Sequence, residues 1–470
     1  MRQFFLVLIC FLIFQPQQLL AKAENKTLTP LNIVNLTPAN DKIESVTKQI
    51  LLKSIELEKL NLYFRLNAGT QGRWKGLRYF LSQETNFGLT EAGVITGAYE
   101  RLKNIHEPHH PNRSILKEAA IPQIIGPIIA SIGSGVEFSI NAYHQYQAYK
   151  LNLSPGLAKK RIYQIRDELN TLMKEHHKLI VQEGTIANLK TPIRIALAEE
   201  NVLRDIINLS IIEYHYFHMD TRRLLAFQQS LYLLDIAKNS IASIANYVSY
   251  RSELHNISAL NQPLGILTII SGSLIVATPI ISRVIGKMAY KYHESHLDLP
   301  RTNEIDFANM LKKLNYDRKL LISLLNAVKE DELFLVSKPL SRMYLYSNLK
   351  GKFRTELNDV FKLEHRGVLA ATETVFSGAF TGSTKVTNGC LLTVAGSFYN
   401  SKPYVTNSLL AAGATTYIAG NSLALIDNAR IQIENEWNYQ KQKKLKMLPR
   451  DQIYRRLDEL DKTETLIKAD

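Results

Sequence analysis

A stretch of 27 residues without a charged side chain, 256–282, constrains this chain more than any other feature of its sequence. Its second part, GILTIISGSLIVATPIIS at 265–282, is dense in isoleucine and leucine. A helix of about 20 apolar residues crosses the roughly 30 Å of hydrocarbon in a bilayer. We therefore expect 256–282 to contain a transmembrane helix; the alternative is a buried helix of a soluble bundle.

The N-terminus has the features of a secretory signal peptide. Arg2 precedes an apolar run at 4–14, and Ala-Lys-Ala at 21–23 supplies small residues for cleavage. We predict that residues 1–23 are removed, which lowers the net charge from +14 to +12 because Arg2 and Lys22 are lost. Cys390 is then the only cysteine, so the chain does not belong to the disulfide-stapled class of secreted modules.

Helical periodicity runs through most of the remaining sequence. Apolar residues recur every three to four positions in 41–62 and 154–184, and the second stretch starts at Ser154-Pro155 and stops at Gly184. Residues 193–262 contain neither Gly nor Pro, and we expect a break near His218–Thr221 because one helix would be about 105 Å long. Strand patterns are scarce, so the predicted fold class is all-α.

A pattern that occurs three times indicates an internal repeat. Gly126/Gly133, Gly265/Gly272 and Gly413/Gly420 are each spaced by seven, and each pair precedes an apolar run, a proline and an amphipathic helix. We interpret this as a degenerate triplication of about 147 residues. The predicted organisation is a signal peptide at 1–23 and helical repeats at 24–185, 186–338 and 339–470, with hydrophobic segments at 119–136, 256–282 and 403–426.

The glycine pairs predict close contacts between helices. Seven residues are nearly two turns, so both glycines lie on one face, where another helix can approach. The segments 119–136 and 403–426 are weaker transmembrane candidates than 256–282, because the first holds Pro122 and Pro127 and the second is diluted by Asn, Thr and Ser. Residues 386–401 could instead pair with 403–426 as a hairpin.

The charges that flank the three segments give a topology. Residues 137–161, 283–304 and 427–456 carry net charges of +3, +1 and +4. If each segment crosses once, the chain alternates sides, and the two more basic flanks fall inside, as the positive-inside tendency requires. The dense basic run at 441–450 has a second interpretation as a solvated helix face.

No set of residues points to a reaction. His106, His109 and His110 in HEPHHP are weak metal-ligand candidates, and His215/His218 and His293/His296 repeat the spacing of three, but no Cys partners accompany them. GAFTGSTK at 378–385 has its lysine in the wrong place for a phosphate loop. We predict no catalytic residues and no cofactor.

The sequence favours an exported, membrane-anchored helical envelope protein with a structural or partner-binding role. Its expected partners are membrane lipid and, through 441–450, other envelope proteins or anionic polymers, but not nucleic acid. One alternative is a secreted membrane-active bundle that hides its hydrophobic segments and inserts them later. A second is a metal-dependent helical enzyme built on histidines at 106–111, 213–220 and 293–296.

Overall fold

The computed structural model describes residues 37–69, 73–104, 111–184, 190–255, 257–296, 304–328, 342, 346, 353–398, 402–446 and 448–469. Within these ranges the chain forms ten α-helices and one 3-10 turn, Ser258–Leu260, and has no strand, which confirms the all-α class. The predicted signal peptide at 1–23 lies outside the described residues.

The helices are long and follow one another closely along the chain. In chain order they are α1 (Thr37–Gly69), α2 (Arg73–Lys103), α3 (Arg113–Lys150), α4 (Pro155–Gly184), α5 (Lys190–His255), α6 (Asn261–Ser295), α7 (Glu304–Asn326), α8 (Phe353–Phe398), α9 (Pro403–Lys444) and α10 (Pro449–Ala469). The predicted start at Pro155 and stop at Gly184 are both confirmed by α4.

One part of the molecule, here called the head, is a bundle of amphipathic helices. It consists of α1, α4, residues 190–221 of α5, α7 and α10. Their apolar stripes meet in a core that includes Ile50, Ile162, Leu203, Leu321 and Leu460, each at most 1% exposed. The periodicity of 41–62 and 154–184 therefore reports burial in this core.

A second part, here called the ring, is built from α2, α3, residues 222–255 of α5, α6, α8 and α9. Each of these helices packs on the next in this order, and α9 packs back on α2, so the six close on themselves. Every neighbouring pair is antiparallel, because contacts that advance along one helix go back along its neighbour. The contacts are Asn86–Gly126 and Gly93–Ala119 between α2 and α3, Ile124–Ser243 and Ser131–Ser240 between α3 and α5, and Arg223–Gly286 and Lys238–Ser271 between α5 and α6. They continue with Gly265–Gly389 and Gly272–Gly382 between α6 and α8, Thr384–Gly420 and Ala395–Thr406 between α8 and α9, and Asn421–Phe87 and Asn428–Glu84 between α9 and α2.

Helix α5 passes from the head into the ring without interruption. It is 66 residues long and remains helical through His218–Thr221, so the break expected there is wrong. The physical reason is that both halves have packing partners: 190–221 contacts the head helices, while 222–255 contacts α3 and α6. A helix without Gly or Pro needs no break when tertiary contacts support its whole length.

Three helices in the described residues are long and apolar enough to cross a membrane. They fall in Arg113–Gln182, Asn261–Ser295 and Tyr404–Ala469, where the most apolar windows have mean hydropathies of 1.5, 2.2 and 1.4. These windows lie in α3, α6 and α9, which run in the same direction because α2, α5 and α8 alternate with them around the ring. The alternating topology expected from single crossings is therefore wrong for this bundle, and the three flanks lie at the head end.

Each ring hairpin is followed by a head helix. The hairpins α2–α3, α5–α6 and α8–α9 precede α4, α7 and α10 respectively. The α8–α9 hairpin is the pairing considered for 386–401 and 403–426. Within the hairpins, the glycine pairs always occupy the second helix. The triplication itself stays a prediction.

Candidate functional site

The outer surface of the ring is apolar. Exposed large hydrophobic side chains follow α3 at Ile121, Ile125, Ile128, Ile132 and Val136, with spacings of three and four that place them on one side of the helix. Exposed apolar side chains also follow α6 from Ile266 to Met288. Contiguous apolar surfaces of this extent indicate contact with lipid or with another protein.

The six glycines singled out from the sequence all lie at contacts between ring helices. Those on α3 face α2 and those on α9 face α8, through the pairs Gly126 and Asn86, Gly133 and Ser82, Gly413 and Asn388, and Gly420 and Thr384. A Cβ atom on Gly126 would lie 2.9 Å from the carbonyl oxygen of Asn86. Side chains larger than hydrogen do not fit at such separations without movement of the partner helix.

The glycines on α6 face a helix that is not their hairpin partner. A Cβ on Gly265 would lie 2.6 Å from the carbonyl oxygen of Gly389, and one on Gly272 would lie 3.0 Å from that of Gly382, both on α8. A third glycine of α8, Gly396, approaches Asn261 and Gln262 at the start of α6. Gly382, Gly389 and Gly396 repeat the spacing of seven, and the prediction from the sequence did not include these three glycines.

The ring surrounds a partly open cavity of about 140 Å³, and all six ring helices line it. At ~10–15 Å³ per enclosed water, it has room for on the order of ten water molecules. Its lining runs from the hairpin tips, at Arg101, Leu116 and Asn261, to the middle of the helices, at Lys238 and Lys385. Lys238, Asn239 and Lys385 line its inner end beside apolar residues such as Phe87 and Ile275, so the charged and amide groups of the ring lie inside and its outer face is apolar.

Three cations and one carboxylate line the cavity. Arg101 pairs with Glu253 at 2.6 Å near the tips, and Lys238 pairs with Asp235 at 2.5 Å near the inner end. Lys385 has no carboxylate within 4.0 Å among the described residues, and its ammonium lies 5.6 Å from the ring centre of Tyr417. The side chains around the cavity therefore carry an excess of positive charge.

Beyond Lys238 the interior of the ring is bridged by polar contacts between helices. The Tyr79 hydroxyl of α2 donates to the Asp235 carboxylate of α5, and the rings of Tyr79 and Tyr232 lie 5.4 Å apart. Arg78 of α2 donates to the buried carboxylate of Glu137 on α3 at 2.8 Å. These contacts join three ring helices between the cavity and the head.

The histidines fall into different surroundings. His106, His109 and His110 lie outside the described residues. His218 and His293 come together at the junction of head and ring, with ring centres 6.0 Å apart, whereas His296 is exposed. Among the residues that the structure describes, no three His, Cys, Asp or Glu side chains are grouped so that they could hold a metal ion.

Two of these histidines are buried in the head and held neutral. Burial, with the nearby cations of Lys159 and Arg166, lowers the pKa of His215 to about 4. Burial, with Arg222 and His293 close by, lowers the pKa of His218 to about 3. A neutral, apolar setting of this kind is typical of structural histidines.

The other sequence motifs also lie on helices. Residues 378–385, which have some of the letters of a phosphate loop, are an uninterrupted part of α8 and contact α6 and α9. In the basic run 441–450, the side chains of Lys441, Lys443, Lys444, Lys446 and Arg450 are exposed. An exposed cationic surface of this kind can contact anionic groups, but it positions no reactive set.

Comparison with known proteins gives no relative. The chain matches no protein-family model, no curated protein and no solved structure.

Proposed function

We propose that this chain is an exported α-helical protein of the cell envelope, anchored in the membrane by its ring, with a structural or partner-binding role for its head. The observation that supports this most directly is the contrast between the two surfaces of the ring. Charged and amide side chains occur in the lining of the cavity, together with apolar ones, while the outward-facing side chains of α3 and α6 are mainly isoleucine, valine and methionine. A soluble bundle has the opposite arrangement.

The dimensions of the ring agree with this proposal. From Leu116 near the tip of α3 to Tyr143, an exposed aromatic at the head end, a helix rises about 40 Å. A bilayer with its headgroup regions is ~40–45 Å thick. Exposed aromatic residues cluster at both ends of the ring, where interfacial Tyr and Trp belong: Tyr143, Tyr146, Tyr149, Tyr292 and Trp437 at the head end, and Tyr99, Tyr247 and Tyr404 at the tips.

We propose that the head lies on the exported side. Cleavage after residue 23 leaves α1 in that compartment, and every head helix lies at the same end of the ring as α1. The basic flanks of α3, α6 and α9 then lie outside, against the positive-inside tendency. Segments of more than about 60 residues escape that tendency, and this applies to the flanks of α3 and α6, since 151–221 and 296–352 are near or above this length. The short connections at the tips of the ring would then lie inside, and they are basic, as the positive-inside tendency requires: Lys103, Arg113 and Lys402 outnumber Glu107.

The head supplies the surfaces through which we propose that partners bind. Its helices offer exposed apolar side chains, such as Tyr316 and Leu466, and the exposed cations of 441–450 adjoin α10. Helix faces and cationic runs bind partner helices and anionic polymers respectively. Retention of the protein on an immobilised anionic polymer, and its loss when the four lysines of 441–446 become glutamine, tests the second of these contacts.

Extraction of membranes from cells that express the full chain tests the anchoring. We expect the protein to stay in the pellet in high salt and in alkaline carbonate, and its N-terminus to begin at Glu24. Release into the supernatant in both conditions would instead favour a secreted protein that inserts conditionally. Ile132→Lys, on the outer face of the ring, should reduce membrane retention, whereas Tyr316→Lys, similarly exposed on the head, should not.

A further inference from the structure

We propose that the cavity inside the ring binds a small anion, an inorganic monovalent ion or a short carboxylate, between Lys385, Lys238 and Asn239. The membrane anchoring proposed above does not require a ligand in the cavity. The inference depends on the charges and donors at the inner end of the cavity.

Lys385 carries the first part of the argument. It lines the cavity from α8, where the aromatic ring of Tyr417 is its only favourable electrostatic partner among those that the described residues provide. Glu253, the single carboxylate in the lining formed by the described residues, already pairs with Arg101 toward the tips. An ammonium group enclosed by a helical bundle without a counter-charge is strongly unfavourable. A bound anion would supply the missing negative charge.

Lys238 lies at the same height on α5, which packs on the other side of α6 from α8. The hydroxyl of Ser271 donates to the Lys238 carbonyl oxygen, and Gly272, the next residue, faces Val386, which follows Lys385 on α8. The Lys238 side chain is 16% exposed and shares its charge with Asp235 alone. The ammonium groups of Lys238 and Lys385 therefore have one carboxylate, that of Asp235, between them at the inner end of the cavity. They repel each other, and a second anion would offset this repulsion.

Asn239 supplies an independent observation. It lines the cavity and is only 4% exposed, yet its Nδ2 atom has no hydrogen-bond partner among the described residues. Buried amide donors are almost always satisfied, so an unpartnered one beside a cavity points to a missing acceptor. An anion between the two lysines and this amide would accept from all three groups.

The size of the cavity limits the ligand. A cavity with room for on the order of ten waters admits a halide, nitrate or a short carboxylate together with some waters, and it limits the ligand to a small molecule. A cation would approach Lys385 without a free carboxylate to receive it from the part of the lining that the structure describes. The chemistry of the cavity thus selects negative charge and small volume.

Thermal unfolding of the detergent-purified full chain tests this inference. The probes are sodium chloride and sodium nitrate for inorganic anions, and sodium formate and acetate for carboxylates, each replacing gluconate at constant ionic strength. We expect at least one of these small anions to raise the Tm by several degrees in a saturable manner, because a ligand that binds only the folded state stabilises it. A response to chloride or nitrate would identify the ligand as an inorganic anion, and a response to formate or acetate would identify it as a carboxylate.

Two variants and one control make the result specific. Lys385→Met removes the unpaired charge without leaving a cavity, so it should fold and weaken the anion effect at least tenfold. Asn239→Asp places a fixed carboxylate in the cavity, so its Tm should no longer respond to anions. Lys402→Met, at an exposed tip, should respond like the unchanged protein.

Two results would overturn the proposal: a Tm of the unchanged protein that does not respond to any of the four anions, or a full response in Lys385→Met. Failure of the membrane proposal is a separate event. If the membrane proposal is wrong, alkaline carbonate releases the unchanged protein from the membrane. We expect none of the three variants to alter membrane retention.

Discussion

Gly272 of α6 and Gly382 of α8 face each other directly across the interface between these helices. A Cβ on Gly272 would lie 3.0 Å from the carbonyl oxygen of Gly382, and a Cβ on Gly382 would lie 2.8 Å from that of Gly272. The two backbones therefore touch, and neither helix can carry a side chain at this point in its present position. Close backbone approach through small residues is how helices associate within lipid.

Replacing Gly272 by alanine should destabilise the ring. The new methyl would meet backbone atoms of Gly382 and Val386 at 2.9–3.0 Å, so the helices must separate. Overpacking of this kind costs ~1–3 kcal/mol, while the better helix propensity of alanine returns at most ~1 kcal/mol. We expect a lower Tm in detergent, measured by circular dichroism.

Gly88→Ala is the matched control for this substitution. Gly88 lies on ring helix α2, and a Cβ there would meet no atom within 4 Å. Its replacement should leave the Tm unchanged or raise it slightly. Equal effects of the two substitutions would show that the contact between α6 and α8 has been assigned wrongly.

Arg342 should be essential for the stability of the head. Its guanidinium group donates to Glu199 at 2.8 Å and to Glu44 at 2.5 Å, and it is only 7% exposed. Burial lowers the pKa of Arg342, but the charge of Glu199 more than offsets this and the pKa lies above its ordinary value. Arg342→Ala leaves carboxylates in the core unpaired, and breaking such a pair costs ~3–5 kcal/mol.

The measurement is chemical denaturation of the purified protein, with Lys462→Ala as the control. Lys462 makes a pair of comparable length with Asp458, 2.6 Å, but both side chains are exposed. Solvent screens such a pair, so its removal should not change the denaturation midpoint. A midpoint for Arg342→Ala within error of the unchanged protein would contradict the importance of the buried pair.

Acid should destabilise the head through His215 and His218. Both are neutral when folded, since their pKa values are lowered to about 4 and about 3, but they regain an ordinary pKa of 6.5 on unfolding. The unfolded state then binds more protons as the pH falls below 6.5, and stability declines from there down to the folded pKa values. At pH 5 each histidine should cost ~2 kcal/mol relative to pH 7.5.

Unfolding midpoints at pH 7.5 and pH 5 measure this effect. The cations around the two histidines are Lys159, Arg166 and Arg222, with His293 also near; all disfavour protonation in the folded state. His215→Phe should reduce the difference between the two midpoints, and His144→Phe, exposed on α3, should not. An unchanged difference in His215→Phe would assign the acid sensitivity to other groups.

The sequence predicts the head helices well because their burial is one-sided. In 154–184, Ile162, Ile165 and Leu169 follow a helical stripe, and all three are buried in the head core. The same reasoning located α6, whose uncharged run is long. In both cases local residues determine which face is covered, and a pattern of period 3.6 reports it.

Half of the ring could not be predicted in this way. The ring part of α5 contains Asp235 and Lys238, and α2 contains Glu84 and Glu91, so neither stretch is uncharged. These charges pair across the ring interior with side chains distant in sequence, as Glu91 does with Ser422 and Asn421. A search for uncharged runs finds the second helix of each hairpin, overlooks α2 and the ring part of α5, and finds α8 only in part, at 386–401.

The cavity was missed for a related reason. Lys385 and Asn239 are 146 positions apart, and no local spacing links them. They line the same space only because α5 and α8 both pack against α6. The error in topology has this origin too: once α2, α5 and α8 are counted, the three hydrophobic helices run parallel instead of alternating.

Cysteine labelling distinguishes the six-helix ring from three single crossings. Cysteines introduced in a Cys390→Ser background at Lys160 and Leu445, both at the head end, should react with a membrane-impermeant maleimide from the same side in intact membranes. A cysteine at Lys402, at a tip, should react only from the other side. Single crossings at α3, α6 and α9 would also place residues 160 and 445 on one side of the membrane. A fourth cysteine at Tyr292 distinguishes the two arrangements. In the ring it lies on the same side as residues 160 and 445, whereas single crossings place it on the other side.

Cys390 itself tests whether the outer face of the ring is in lipid. It is exposed, does not line the cavity, and follows Gly389, which packs on α6. In membranes we expect it to react with a lipid-soluble maleimide and not with a charged one, because the charged reagent does not enter hydrocarbon. Solubilisation and unfolding in dodecyl sulfate should make both reagents react. Rapid reaction with the charged reagent in untreated membranes would mean that water reaches this face, and it would contradict the contact of the ring with lipid.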